Sequence, residues 1–197
     1  VNSLQIIASI LMMKARAVAS PETRPHLQDA HRRVISVAAG QQHLHITGTA
    51  EPIDIAPYLT KLCQSLSESM IGDARPALLN VVSDPGKVIS SNAVSIGLIV
   101  TELVINALKY AFPGNKLEAV VTVRYDVNGT DWKLSVSDNG VGREEGKGPP
   151  AKGGLGTSLV NALANQLDAK VATQSGANGM KVSITHATFS ARVPEAA

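Results

Sequence analysis

Three short runs carry polar residues and glycines at spacings that can do chemistry. In Thr101-Glu102-Leu103-Val104-Ile105-Asn106-Ala107-Leu108-Lys109-Tyr110, the residues Glu102, Asn106, Lys109 and Tyr110 fall at i, i+4, i+7 and i+8. They line one side of a helix whose apolar stripe is Leu98, Val104, Ile105 and Leu108. An Asn oxygen is a hard, neutral ligand for Mg²⁺, which keeps several waters and takes the rest of its shell from phosphates. Asn106 is therefore the candidate metal ligand, with Lys109 as a point charge for phosphates and Tyr110 as a hydroxyl donor. The same spacing also fits an ordinary amphipathic helix with a solvated polar face.

The second run, Asp138-Asn139-Gly140-Val141-Gly142, follows Trp132-Lys133-Leu134-Ser135-Val136-Ser137, whose alternation reads as a strand with Trp132, Leu134 and Val136 on one face. Asp138 then stands at a strand end. An ionised carboxylate only accepts hydrogen bonds, so it suits the exocyclic amino group of adenine and rejects a guanine carbonyl at that place. Gly140 and Gly142 allow the backbone to approach a flat base and to take positive φ, although Asp-Asn-Gly is also a plain turn signal. The third run, Gly153-Gly154-Leu155-Gly156-Thr157, opens an amphipathic helix over 157–167. The free N–H groups and dipole of a helix N-terminus suit a polyphosphate, which makes Gly154, Leu155, Gly156 and Thr157 the phosphate-side candidates. The charged, Gly/Pro-rich stretch 143–152 before it reads as a lid, or alone as a surface linker. In this order and at these distances, the three runs are what an ATP pocket needs.

Elements must hold these runs in place. A first helix is expected from Asn2 to Val18, with Leu4, Ile7, Ile10, Leu11 and Met13 apolar, and Ser20-Pro21 breaks it. A second, with Leu27, Ala30, Val34, Val37, Ala38 and Leu44 inward and Pro25 early in it, runs to about Leu44. Such a hairpin cannot bury its stripe alone, and a partner hairpin would close a four-helix bundle, so a homodimer is expected. The spacing divides the chain into a hairpin at 1–46, a linker at 47–52 and a second domain at 53–197. In that domain Asp54 can cap a helix carrying Leu59, Leu62, Cys63, Leu66 and Met70. Strands are expected at 77–83, 119–126 and 132–137, the last two joined by Asn128-Gly129-Thr130-Asp131, and two more near 169–174 and 180–186 after the lid helix. The pattern reads as α+β, a mixed sheet with helices on one face.

The three runs resemble the N, G1 and G2 boxes of the GHKL (Bergerat) ATP-binding fold, the catalytic domain of sensor histidine kinases. Upstream, Val1-Asn2-Ser3-Leu4-Gln5-Ile6-Ile7-Ala8-Ser9-Ile10-Leu11 resembles the H-box helix of the HisKA-2 subfamily, where the run reads His-Arg-Val-x-Asn-x-Leu-Gln. The resemblance covers nearly the whole chain. It implies an ATP- and Mg²⁺-dependent protein histidine kinase core that moves the γ-phosphoryl to a His of the hairpin and on to an Asp of a response-regulator receiver domain. It also implies catalytic roles for Glu102 and Asn106. In hydrolytic GHKL enzymes the matching Glu activates water, whereas in histidine kinases it orients groups near the metal and phosphates. Gly179 and Ser183 fall where the family has its last glycine and a polar strand residue near the nucleotide.

Two departures qualify the match. The subfamily's phosphoacceptor His lies four residues before the Asn that aligns with Asn2, which puts it upstream of Val1: either that segment is missing from the sequence or the chain is a natural variant without the acceptor. The related HWE kinases carry an N-box His and a Trp-x-Glu pair where this chain has Thr101 and Trp132-Lys133-Leu134, so HisKA-2 is the better assignment. An alternative is a non-catalytic histidine phosphotransfer or scaffold protein of kinase-like fold, whose glycine boxes are usually eroded. An anti-sigma-factor serine kinase shares the boxes but lacks a dimerising hairpin.

With 44 % hydrophobic and 17 % charged residues, the 197-residue chain reads as one or two soluble globular domains. A formal net charge of +2, without a basic block interleaved with aromatics, argues against a nucleic-acid partner. Cys63 is expected to be an inert buried thiol. No run reads as long enough to span a bilayer and none resembles a signal peptide, so a cytoplasmic location is expected, with any sensor or membrane part N-terminal. His26, His31, His43, His45 and His186 show no metal-site spacing beyond the His43/His45 pair, which also fits a solvated helix end. Arg24, Arg32 and Arg33 form either a face for an acidic response regulator or a solvated basic surface.

Overall fold

The computed structural model describes residues 52–70, 77–113, 118–142 and 155–187, with Met13 and Val34 as isolated helical positions. The rest of the expected hairpin, most of the expected linker, the stretch 143–152 expected to be a lid, Gly153, Gly154 and the side chain of Leu155 lie outside the described residues.

The described part opens with β1 (Ile53–Asp54), followed directly by α1 (Ile55–Met70). Asp54, expected to cap this helix, is the residue before its first turn, and Pro57 falls inside that turn, where a missing N–H is tolerated. Ile55, Tyr58, Leu59, Leu62, Cys63 and Leu66 recur at three-to-four spacing and all are buried. Each Ile and Leu among them contributes about 1.5–3 kcal/mol on burial. After β2 (Ala77–Ser83), the short β3 (Lys87–Val88) pairs antiparallel with β1, and Ile55 N donates to Gly86 O at 3.0 Å. This two-residue ribbon, which the sequence pattern does not reveal, ties the start of α1 to the entry of the next helix.

That helix, α2 (Ser90–Tyr110), is buried on every side, from Ala93 to Ala107. A helix apolar all round belongs in a core. The expectation that no run could span a bilayer is corrected here: α2 is long and apolar enough by length and composition, but most of it is packed inside the domain.

The five-stranded sheet has the order β2-β4-β5-β7-β6, where β4 is Ala119–Asn128, β5 Asp131–Asp138, β6 Lys170–Gly176 and β7 Gly179–His186. β2 runs parallel to β4 and the other pairs are antiparallel, which makes the sheet mixed as expected. Gly129, in the two-residue turn between β4 and β5, has φ 62, the sign such hairpin turns require. Strand alternation turns Val121, Val123, Tyr125, Leu134, Val136, Val182 and Ile184 toward one core with α1, α2 and α3 (Leu155–Gln166), so the helices cover one face. α3 ends in a Schellman arrangement: Asp168 takes φ 51, and Ala169 N and Asp168 N donate to Ala164 O and Asn165 O. His186 Nδ1 lies 3.2 Å from both Leu167 O and Asp168 O, and its ring continues a stack through Trp132 to Tyr125, with centroids 5.7 and 5.8 Å apart. The far end of α3 is thereby fixed to the sheet, which leaves its N-terminal end toward the middle of α2.

Candidate functional site

Glu102 and Asn106 are one turn apart on α2. Glu102 is only 3 % exposed and Asn106 is half-buried, so the polar side of this helix is not a solvated face. What covers it is the first turn of α3. A methyl group built on Gly156 would come within 2.7 Å of Glu102 Oε2 and 3.8 Å of Asn106 Nδ2, so a larger residue there would require the Glu102 carboxylate or the first turn of α3 to shift. The N-terminal end of α3 therefore lies against the buried Glu102 side chain. Lys109, half-buried, sits in the last turn of α2, and Tyr110 after it is 71 % exposed. Thr157 is exposed beside Gly156.

The C-terminal end of α2 docks on the second motif. Ala111 O accepts a hydrogen bond from Val141 N at 2.9 Å. Gly140 lies so close to Ala111 that a Cβ would overlap the Ala111 carbonyl and methyl. Of the two motif glycines only Gly142 takes a positive φ, 63°, and it packs against the Gly176 carbonyl of the β6–β7 hairpin. The glycines thus make room for neighbouring protein backbone as well as for any ligand. Asp138, at the end of β5, accepts at Oδ1 from Gly140 N at 2.9 Å and from Met180 N at 3.3 Å. The first contact closes an Asx turn, the second links the motif to β7, and together they orient the carboxylate so that Oδ2 is the oxygen left to meet a ligand.

The structure brings together Glu102, Asn106 and Gly156 on one side, and Asp138, Gly140 and Gly142 with the end of α2 on the other. Ser183 is not brought to this cluster. It pairs with Ser135 between the inward-facing Val182 and Ile184, which puts it on the opposite face of the sheet from the core. Sequence reasoning also passed over Asn139, Met180 and Ala111, whose backbone or side-chain contacts hold the second motif. The alternation of β7 would have placed Ser183, whereas contacts such as Met180 N to Asp138 leave no sequence signal. Among the described residues no group of three His, Cys, Asp or Glu could form a protein-only metal cage.

A mixed sheet with helices on one face, and a site built between a buried N-motif helix and two glycine motifs, define a GHKL-type ATP-binding domain. Residues 91–196 match the family model described as histidine kinase-, DNA gyrase B- and HSP90-like ATPase, and residues 1–70 match the HisKA_2 histidine kinase model. The chain belongs to this ATPase family and, with its HisKA_2 segment, to the sensor histidine kinases. It is 29 % identical to the sensor histidine kinase PdtaS of Mycobacterium tuberculosis over 83 % of this chain and 32 % of that protein. It is also 29 % identical to blue-light-activated histidine kinase 2 of Erythrobacter litoralis over 93 % of this chain and 53 % of that protein. The chain thus spans between a third and about half the length of these curated relatives. Among solved structures, the histidine kinase domain of the Erythrobacter litoralis EL346 blue-light activated kinase superposes with a TM-score of 0.72 at 27 % identity, covering 94 % of this chain and 87 % of that one.

Proposed function

We propose that the chain is the ATP-dependent autokinase core of a two-component system, moving the γ-phosphoryl of ATP to a histidine of a dimeric helical hairpin and then to an aspartate of a receiver domain. The observation that carries this reading is the packing of Gly156, at the N-terminus of α3, onto the Glu102–Asn106 pair, while the same α2 docks on the turn that holds Asp138. One buried helix links the phosphate side of the site to the base side. Met13, a helical position expected on the apolar stripe of the hairpin, is 65 % exposed in the single chain, as a residue awaiting a partner hairpin would be.

Phosphoryl transfer asks a protein mainly for positioning and charge neutralisation. Asp138 Oδ2 accepts from the exocyclic amino group of adenine, and Asn106 Oδ1 would hold Mg²⁺, with Glu102 ordering its waters. The Mg²⁺, when bound, neutralises the phosphate charge and leaves most of its shell to water and phosphate oxygens. Lys109 and the N–H groups that open α3 meet the remaining negative charge. The bond from the γ-phosphorus to the bridging oxygen breaks, a bond to the histidine nitrogen forms, and ADP leaves with the electron pair while the ring gives up its proton to water. These residues suit a cytoplasmic site, where ATP is available. The test is a chain that carries the acceptor histidine: it should form an acid-labile, alkali-stable phosphoryl label with Mg·ATP. Asn106→Ala and Asn106→Asp should lose the label while circular dichroism and melting stay unchanged; retained labelling would put the metal elsewhere.

A further inference from the structure

We infer that Asn139 is a positioning residue that sets the nucleotide-base preference of the site by fixing Asp138; the inference rests on the adenine-reading role given above to Asp138. β5 stops pairing at Asp138, opposite Val121. Beyond that point the side chain of Asn139 takes over from the backbone. Its Oδ1 accepts from Val120 N at 2.9 Å, its Nδ2 donates to Glu118 O at 2.8 Å, and its own N–H donates to Val120 O at 3.2 Å. The carboxamide thus stands in for one more peptide unit of the ladder and pins the chain to the start of β4 where it leaves the sheet.

Both polar ends of the side chain are needed for this. Asp at this position would keep an acceptor for Val120 N but would turn a second oxygen toward the Glu118 carbonyl, and Ala would offer neither group. The consequence reaches Asp138 through the bond between them. Asp138 is held on the β7 side by Met180 N and within the turn by Gly140 N. Asn139 supplies the side-chain restraint on the β4 side; without it the Asn139 N–H to Val120 O bond remains there, but the start of the turn shifts enough to move the carboxylate off the base while Val141 N stays bonded to Ala111 O. The sequence pattern Asp-Asn-Gly offers an adenine-binding Asp and a turn signal, but no sign of this role for Asn139.

The test compares ATP with inosine triphosphate, which carries a carbonyl where adenine has its amino group, by competitive displacement of a fluorescent nucleotide from the 197-residue chain. The wild type should prefer ATP. Asn139→Asp and Asn139→Ala should each weaken ATP binding by roughly tenfold, the scale of one to two net hydrogen bonds. Binding of inosine triphosphate should be unchanged, so the preference itself falls. In an Asp138→Ala background, Asn139→Ala should leave ATP affinity where it was. A role in folding alone would weaken both nucleotides together, and that result, or an intact preference in the variants, overturns the inference while leaving the Asp138 reading standing. A wild type without preference overturns the Asp138 reading, and this inference with it. If Asn139→Ala melts below the assay temperature, Asn139→Asp, which keeps the Val120 contact, carries the comparison.

Discussion

Gly140→Ala is the sharpest single test of how the site is built. The added methyl would overlap the Ala111 carbonyl and Cβ, both fixed parts of the end of α2 and not the flexible tip of a side chain. Either the turn or the helix end must move. Overpacking of this kind costs about 1–3 kcal/mol. The movement also breaks the 2.9 Å bond from Val141 N to Ala111 O, about 0.5–1.5 kcal/mol more. The sum is roughly 1.5–4.5 kcal/mol, and for a chain of this length that is a fall in Tm on the order of 3–18 °C. Gly176→Ala is the matched control, because among the described residues nothing lies within 4 Å of a Cβ there and its φ is not left-handed; it should stay within about 0.5 kcal/mol of wild type. Urea unfolding of both variants measures the costs, and ATP titration of Gly140→Ala below its melting range should show weakened binding, since the turn carries Asp138. A Gly140→Ala chain as stable as the Gly176→Ala control would refute the idea that the second motif is locked to the end of α2.

Other outcomes follow from the same packing. Gly97→Ala should cost about 1–3 kcal/mol because a Cβ there meets the Tyr58 hydroxyl, and Tyr58→Phe should recover part of the loss; a loss that Tyr58→Phe does not change would place the strain elsewhere. Gly156→Ala should lower phosphoryl transfer at least tenfold with a smaller effect on stability, since its methyl would lie 2.7 Å from Glu102 Oε2 and displace either that carboxylate or the first turn of α3; unchanged kinetics would separate that contact from the chemistry. Burial pushes the Cys63 thiol from 9.0 to about 12 and the Tyr58 and Tyr125 hydroxyls from 10.0 to about 12. The neutral forms are favoured in the folded state, so this stability is fully present below about pH 9 and is lost as pH rises toward 12. Each group adds up to about 1.4 kcal/mol per pH unit to the fall. Urea midpoints that stayed flat from pH 9 to 12 would contradict it.

The legible parts of the fold were those with strong periodicity. β2 follows its apolar run from Ala77 to Ser83 residue for residue, and β4 and β5 exceed their expected spans by only a residue or two. The ribbon of β1 and β3 was illegible because two-residue strands carry no period. The start of α2 was hidden for a different reason: its N-cap is Ile89, which makes no side-chain cap bond, and the apolar run continues around the whole helix. In the site, spacing placed Glu102 and Asn106 on one side of a helix, and residue type suggested the chemistry proposed for Asn106 and Asp138. The burial of Glu102 did not follow from them, because it depends on Gly156 arriving from a distant segment. Ser183 was read from its place in a motif, whereas the alternation of Val182 and Ile184 around it turns it to the other face of the sheet.

The central claim, that these residues form an adenine-nucleotide site read by Asp138, is tested most directly by calorimetric titration of the chain and of Asp138→Asn with Mg·ATP and Mg·GTP. The two N–H groups on Oδ1 would hold the Asn amide with its oxygen toward Gly140 and Met180, which points its NH₂ at the base in place of an acceptor. The account predicts that wild type binds ATP and discriminates against GTP. Asp138→Asn should lose about 10- to 100-fold in ATP affinity, the scale of a hydrogen bond to a charged group, and lose the discrimination with it. Equal binding of ATP and GTP by wild type, or undiminished ATP binding by Asp138→Asn, would contradict it.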